Sequence, residues 1–366
     1  MKNKILYIAL LIFTIFALVS CENEPIFYNI AKEVPLLDSV VTGNVYSIIE
    51  HDGNLYAANG RIFRKGNTEE VTSEKNPWKA VEKPEGTIIR LASTSSYIYA
   101  LSVTTKGEKN TYQIYACDTT AEITKDSWKK IEVSGVKTIF DNEAYNDTSK
   151  LKAFYSTENG IFELKDGKAD STNLKTSKNI ISTKKEVDDE DASYAVKASY
   201  VSDLDITLFS DDLSFCSDRK TTFYKIDEKL VKYSTDGGAN WTSVKPDISD
   251  SASACFYEND GSAWLYIGTA PYDGPGLQAV NLTSNNIPTT TVSEPVGENI
   301  ASCLDDTQVI GLYPFPYGSG NLYAASVILL STSAFSNDNQ LWGYYPKGAT
   351  SQTGEVIREA NTWNRE

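Results

Sequence analysis

Histidine is all but missing from this chain: His51 is the only one in 366 residues. A single imidazole excludes zinc sites built from several histidines, and any Ser-His-Asp or Cys-His machine would rest on His51 alone. No nucleophile-elbow motif accompanies it, and its place before Asp52-Gly53 reads as a turn-flanking surface histidine. The five cysteines include no Cys-x-x-Cys pair, which removes the usual four-thiolate zinc site. After the N-terminal apolar run no stretch approaches the roughly 20 apolar residues of a membrane span, and no helix-length window carries a helical period. Positive charge is short as well. With 34 Lys and Arg against 49 Asp and Glu, the formal net charge is −15; such a surface repels phosphate backbones and anionic headgroups, so nucleic acid is excluded as a partner. The sequence implies no cofactor, no metal and no catalytic constellation. Its acidic patch at 186–191 lacks the alternating spacing of a calcium loop and reads as a solvated loop.

What is there begins with Met1-Lys2-Asn3-Lys4, an apolar run over 5–19, and Leu18-Val19-Ser20-Cys21. A basic start, an apolar core and small residues before a cysteine form a secretory signal. The ending resembles the lipobox of bacterial lipoproteins. The resemblance makes 1–20 a lipoprotein signal peptide and Cys21 the diacylated first residue of the mature chain. Residues 21–42 are then a lipidated tether, whose later part, 34–41, is apolar enough to form a closing strand. The alternative is an uncleaved N-terminal anchor, for which the run is short. Either way the body belongs in the bacterial cell envelope, held to a membrane at its front end. The other four cysteines, Cys117, Cys216, Cys255 and Cys303, are even in number in an oxidising compartment. Three of them recur in similar short apolar contexts, too far apart for a bridge if the contexts are equivalent strands, and all four read as small buried hydrophobes.

From residue 43 to 366 the chain is a procession of short runs rich in Tyr, Ile, Val, Phe and Leu, punctuated by Asp-Gly and Asn-Gly turns, which predicts an all-β fold. An aromatic recurs in the second strand of each unit. With Tyr56, Tyr99, Phe154, Phe223, Tyr266 and Tyr323 as markers, the steps run from 43 to 69 residues, the repeat range of β-propeller blades. The longest step holds strand-like runs near 194–201 and 206–209. Counted as a blade they give seven four-stranded blades; counted as an insertion they give six. One stretch specifies its local structure: Ser234-Thr235-Asp236-Gly237-Gly238-Ala239-Asn240-Trp241. Asp236 can accept backbone N–H groups in the turn, Gly238 permits positive φ, and Trp241 re-enters the sheet as an anchor. Trp78 and Trp128 occupy matching places in earlier units, and Trp363 in the last.

Ser-x-Asp-x-Gly-x-x-Trp is the Asp-box, and the chain resembles a lipid-anchored Asp-box propeller, the architecture of sialidases, photosystem assembly factors and sortilin-type receptors. The sialidase version implies an Arg-Ile-Pro in the first blade and three arginines gripping a carboxylate. Here the nearest string is Arg61-Ile62-Phe63, in an expected third strand, and the arginines number six. Fold alone does not carry that activity. Two Pro- and Gly-rich segments place aromatics on stiff connections: Tyr272 in one, and Tyr313, Phe315 and Tyr317 in the other. Stiff loops on a rigid scaffold gather binding residues, so these four are expected to form a partner surface. The reading is a monomeric, non-enzymatic envelope lipoprotein, a binding or assembly scaffold for a protein or glycan partner. The alternative is a glycan hydrolase of sialidase type.

Overall fold

Strands here are short because turns interrupt them, and the turns close by backbone chemistry readable residue by residue. Ser47–His51 and Asn54–Ala58 pair antiparallel across Asp52-Gly53, with His51 opposite Asn54. Both turn residues have positive φ, 48° and 69°, as a two-residue hairpin matched to the twist of its strands demands. Asp166-Gly167 does the same between Gly160–Lys165 and Lys168–Asn173.

The computed structural model describes residues 40–65, 78–107, 109–142, 148–174, 176–183, 195–201, 206–209, 215–218, 222–227, 230–236, 240–244, 248, 251–259, 262–269, 276–293, 308–315, 327–332, 341–345, 348–350 and 356–366. They form antiparallel sheets that follow one another in chain order. The first contains Ser47–His51, Asn54–Ala58, Ile62–Lys65 and Trp78–Val81, and the second Thr87–Ser93, Tyr97–Lys106, Lys109–Asp118 and Trp128–Ile131. The third contains Thr138–Asp141, Ala153–Thr157, Gly160–Lys165 and Lys168–Asn173. A three-stranded sheet of Thr176–Thr183, Ala195–Val201 and Ile206–Phe209 comes fourth. The fifth holds Phe215–Ser217, Phe223–Asp227, Leu230–Ser234 and Thr242–Val244, and the sixth Ser251–Asn259, Ser262–Thr269, Leu277–Leu282 and Pro288–Ser293. The seventh joins Val309–Phe315, Val327–Thr332, Leu341–Tyr345 and Thr362–Arg365, with a small hairpin of Ala349–Thr350 and Val356–Arg358 between its last two strands.

The first, second and third sheets stand side by side on their first strands, as do the fifth, sixth and seventh. The Ser47 hydroxyl accepts the Leu91 N–H at 3.2 Å, the Asp141 carboxylate accepts the Ser93 N–H at 3.0 Å, and the Ser253 hydroxyl donates to the Val309 carbonyl at 3.3 Å. In the three-stranded sheet it is the last strand that lies beside the first strand of the third. The first, second, sixth and seventh sheets are buried on both faces, so alternate residues of one strand enter different cores. Leu55 and Ala57 pack toward the seventh sheet, whereas Tyr56 between them packs toward the second. Tyr257 and Tyr266 fill the seam between the sixth and seventh sheets, and Leu265 and Ile267 the one before it. Burying each large side chain contributes about 1.5–3 kcal/mol. The markers Tyr56, Tyr99, Phe154, Phe223 and Tyr266 all lie in second strands and are buried; Tyr323 lies outside the described residues.

The last sheet closes on the first. The Trp128 indole donates to the carbonyl of Glu82, just past the outer strand of the preceding sheet, at 3.0 Å. The Trp78 indole donates in the same way to the carboxylate of Glu366, just past the outer strand of the seventh, at 2.8 Å. Val41 N–H adds a bond to the Glu366 carbonyl, and Tyr313 Oη one to the Val45 carbonyl at 3.0 Å. Inside this seam Lys65 Nζ lies 2.7 Å from Glu366 Oε2, Arg358 Nε 3.5 Å from Glu366 Oε1, and the Tyr345 hydroxyl donates to Glu366 at 2.6 Å while accepting from Lys65. Burial would raise the Glu366 carboxyl, but Lys65 and Arg358 outweigh it and hold it down at about 2. Sheets packed face to face and returning on themselves give a propeller-like all-β fold.

Two expectations are corrected here. Tyr313 and Phe315 are not on a projecting loop: they belong to Val309–Phe315, and both are buried between the seventh and first sheets. Pro314 misled because proline opposes a central strand. This strand bonds to a neighbour on one side only, and proline is tolerated at such an edge. His51 is not a surface residue either. It is 3% exposed at the end of the first strand.

Candidate functional site

A cavity of about 690 Å³ opens where the first sheet meets the second. That is within the size of small-molecule sites. Three separate stretches supply its walls: 51–64 from the first hairpins, 80–83 from the end of the first sheet, and 119–123 from the loop before the second sheet's outer strand.

His51 forms part of the floor. Thr119 Oγ1 donates to the Ser96 carbonyl at 3.1 Å and lies 2.6 Å from His51 Nε2. Burial lowers the histidine pKa despite Asp52 beside it, which leaves a neutral ring fixing two loops together. The Tyr56 ring meets it edge-on at 6.3 Å, and burial raises that phenol. Asn54 is buried, with its amide nitrogen donating to the Asp52 carbonyl at 2.9 Å. Its oxygen accepts both Nε and Nη2 of Arg64, at 3.2 and 3.0 Å.

The cationic wall follows from this. Arg64 is oriented by the neutral amide of Asn54. Lys83 donates to the carbonyls of Pro84 and Gly86, and burial and the nearby Arg61 guanidinium both lower its pKa. Among the described residues no carboxylate lies within ion-pair distance of Arg61, Arg64 or Lys83. Asp52, Glu82 and Glu122 are exposed at the mouth. Sequence reasoning passed over these residues, since nothing in their spacing announces that separate stretches converge. The one available signal was Arg61 and Arg64 sharing a short strand region in an arginine-poor chain.

The residues singled out from the sequence are placed elsewhere. Asp236 follows the strand Leu230–Ser234; its carboxylate accepts the Asn240 N–H at 2.9 Å, the Asn240 side-chain amide at 2.7 Å and the Ser234 hydroxyl at 2.8 Å. Trp241 is half-buried rather than enclosed, with Lys225 Nζ 4.7 Å above its ring. Gly238, Cys21, Tyr272, Tyr317, Cys303 and the acidic patch lie outside the described residues. Cys117 and Cys255 are buried and Cys216 partly so. Among the described residues no three His, Cys, Asp or Glu gather to hold a metal ion, and no helix is long and apolar enough to cross a membrane. Glu50, on the first strand, has its carboxyl raised by burial to about 7.

No curated protein matches the chain. Solved structures similar to it include YCF48 from Cyanidioschyzon merolae, at 11% identity over 91% of this chain and 87% of that one, with a TM-score of 0.38. Another is the extracellular domain of a putative hybrid two component system from B. thetaiotaomicron, at 11% identity over 80% of this chain and 40% of that one, TM-score 0.44. The SapL1 lectin in complex with alpha methyl fucoside is 12% identical over 87% of this chain and 97% of that one, TM-score 0.34. The model of the TP013X lipoprotein family matches residues 1–276, most of the sheets included, and the chain belongs to that family.

Proposed function

We propose that this lipoprotein is a non-enzymatic binding scaffold of the cell envelope. Its sheets form a seven-bladed propeller, tethered by a diacylated Cys21 after removal of residues 1–20, with an Asp-box turn at Ser234, Asp236, Gly238 and Trp241. The observation that carries the binding role is the cavity between the first two sheets, where Arg61, Arg64 and Lys83 line one space and, among the described residues, no carboxylate lies within ion-pair distance of them. The partner is a protein or a glycan. Support for seven blades comes from the chain order of the sheets and from the seam in which Trp78 meets Glu366 as Trp128 meets Glu82.

A photocrosslinking residue at Ala121, on the cavity mouth, tests the role in intact cells. The expected result is an adduct that is missing when the crosslinker sits at the distant Thr172 and is lost on adding Arg64→Gln. Equal yields at both positions would remove the cavity from the function. Turnover of a fluorogenic sialoside by purified protein would replace the scaffold with a glycan hydrolase. Incorporation of labelled fatty acid, abolished by Cys21→Ser, is expected for the tether.

A further inference from the structure

We infer that the cavity between the first and second sheets takes an acidic sugar, with its carboxylate held by Arg61, Arg64 and Lys83; this names the ligand class of the scaffold reading above and rests on it. Three features of the site point the same way. Arg64 is held in place through Asn54 Oδ1, a neutral acceptor. A bidentate bond to an amide fixes the guanidinium plane without neutralising it, so a carboxylate docking on the remaining N–H groups meets full charge at no ordering cost. Lys83 and Arg61 are like charges close enough to disfavour one another, and an anion between them relieves that repulsion. Carbonyls of Pro84 and Gly86 keep the ammonium there.

The rest of the lining selects among anions. Asp52, Glu82 and Glu122 at the mouth, on a chain of net charge −15, repel a multiply charged ligand. The same carboxylates are good acceptors for hydroxyl donors. A ligand with one carboxylate and several hydroxyls satisfies both halves. A peptide C-terminus would set apolar side chains against this polar mouth.

Calorimetric titration of the full-length chain in detergent micelles tests the assignment with D-glucuronate, its methyl ester, D-glucose and N-acetylalanine. Saturable binding of glucuronate is expected, with the other three at least about tenfold weaker. Arg61→Ala, which removes an exposed side chain, should weaken glucuronate about tenfold with the unfolding midpoint unchanged, and Arg64→Gln about as much, with the midpoint lowered by loss of the bonds to Asn54. Equal binding of the acid and its ester, tighter binding of N-acetylalanine, or unaltered affinity in both variants would overturn the proposal. Failure of glucuronate to bind while the Ala121 adduct persists rejects the acidic sugar and leaves the scaffold standing. Loss of both rejects both.

Discussion

The Lys65 ammonium and the Glu366 carboxylate lie 2.7 Å apart with side chains 3% and 0% exposed, and deleting one charge of such a pair strands the other in a medium that solvates it poorly. Lys65→Met should therefore cost about 3 kcal/mol, the low end for a broken buried pair, because Arg358 still faces the carboxylate. Urea denaturation measures it; a loss below about 1 kcal/mol would mean water reaches the seam. The same carboxyl sets an acid limb of stability. Held at about 2 against an ordinary 4.5, it stays ionised in the folded chain at acidities where the unfolded chain has bound a proton. Its contribution is complete above about 4.5 and drains away as pH falls toward 2. Over that range the urea midpoint should fall more steeply for the natural chain than for Glu366→Gln, and parallel curves would show that other carboxylates govern the acid limb. At Asp236 the acceptors are exposed, so Asp236→Ala should cost only about 1 kcal/mol.

At the level of strands, the sequence was legible wherever one local rule decided the outcome. Asp52-Gly53 and Asp166-Gly167 announce hairpins because few residues accept positive φ. Second-strand aromatics stood out because those strands are buried on both faces. Legibility failed where the outcome depended on distant neighbours. Proline opposes a central strand, and the one-sided pairing of Val309–Phe315 is what makes Pro314 harmless. The cavity joins stretches some 60 residues apart, and Lys65 meets a partner 301 positions away. Gly268 was equally silent: it sits one residue before the end of Ser262–Thr269, where a Cβ would come within 2.2 Å of Ser253 Oγ and 2.7 Å of the Val309 carbonyl. Gly268→Ala must push the sixth and seventh sheets apart, at about 1–3 kcal/mol of overpacking. An unchanged urea midpoint would show that the inner strands yield more easily than their packing implies.

For the molecule as a whole, closure decides how the sheets share their stability. An open row of sheets would leave the outer faces of its first and last members wet, and each end would fray on its own. Here Leu55, Phe63 and Trp78 from the first sheet form one apolar cluster with Tyr313, Leu341 and Tyr345 from the last, and Glu366 ties the two through Lys65 and Trp78. A chain shortened to end at Ala360 loses the strand Thr362–Arg365 and Glu366 together, but no residue of the first sheet. If the seam couples the ends, amide exchange should accelerate in Ser47–His51 and Trp78–Val81 as much as in Leu341–Tyr345. Protection in Phe223–Asp227, on a sheet that does not adjoin the seam, should fall less. The shortened chain should also become prone to associate, since a stripped face and an unpaired strand edge both seek cover. Exchange confined to the last sheet, with the first sheet as protected as before, would mean that each sheet is stabilised by its own hairpins and that the head-to-tail seam is a contact rather than a lock.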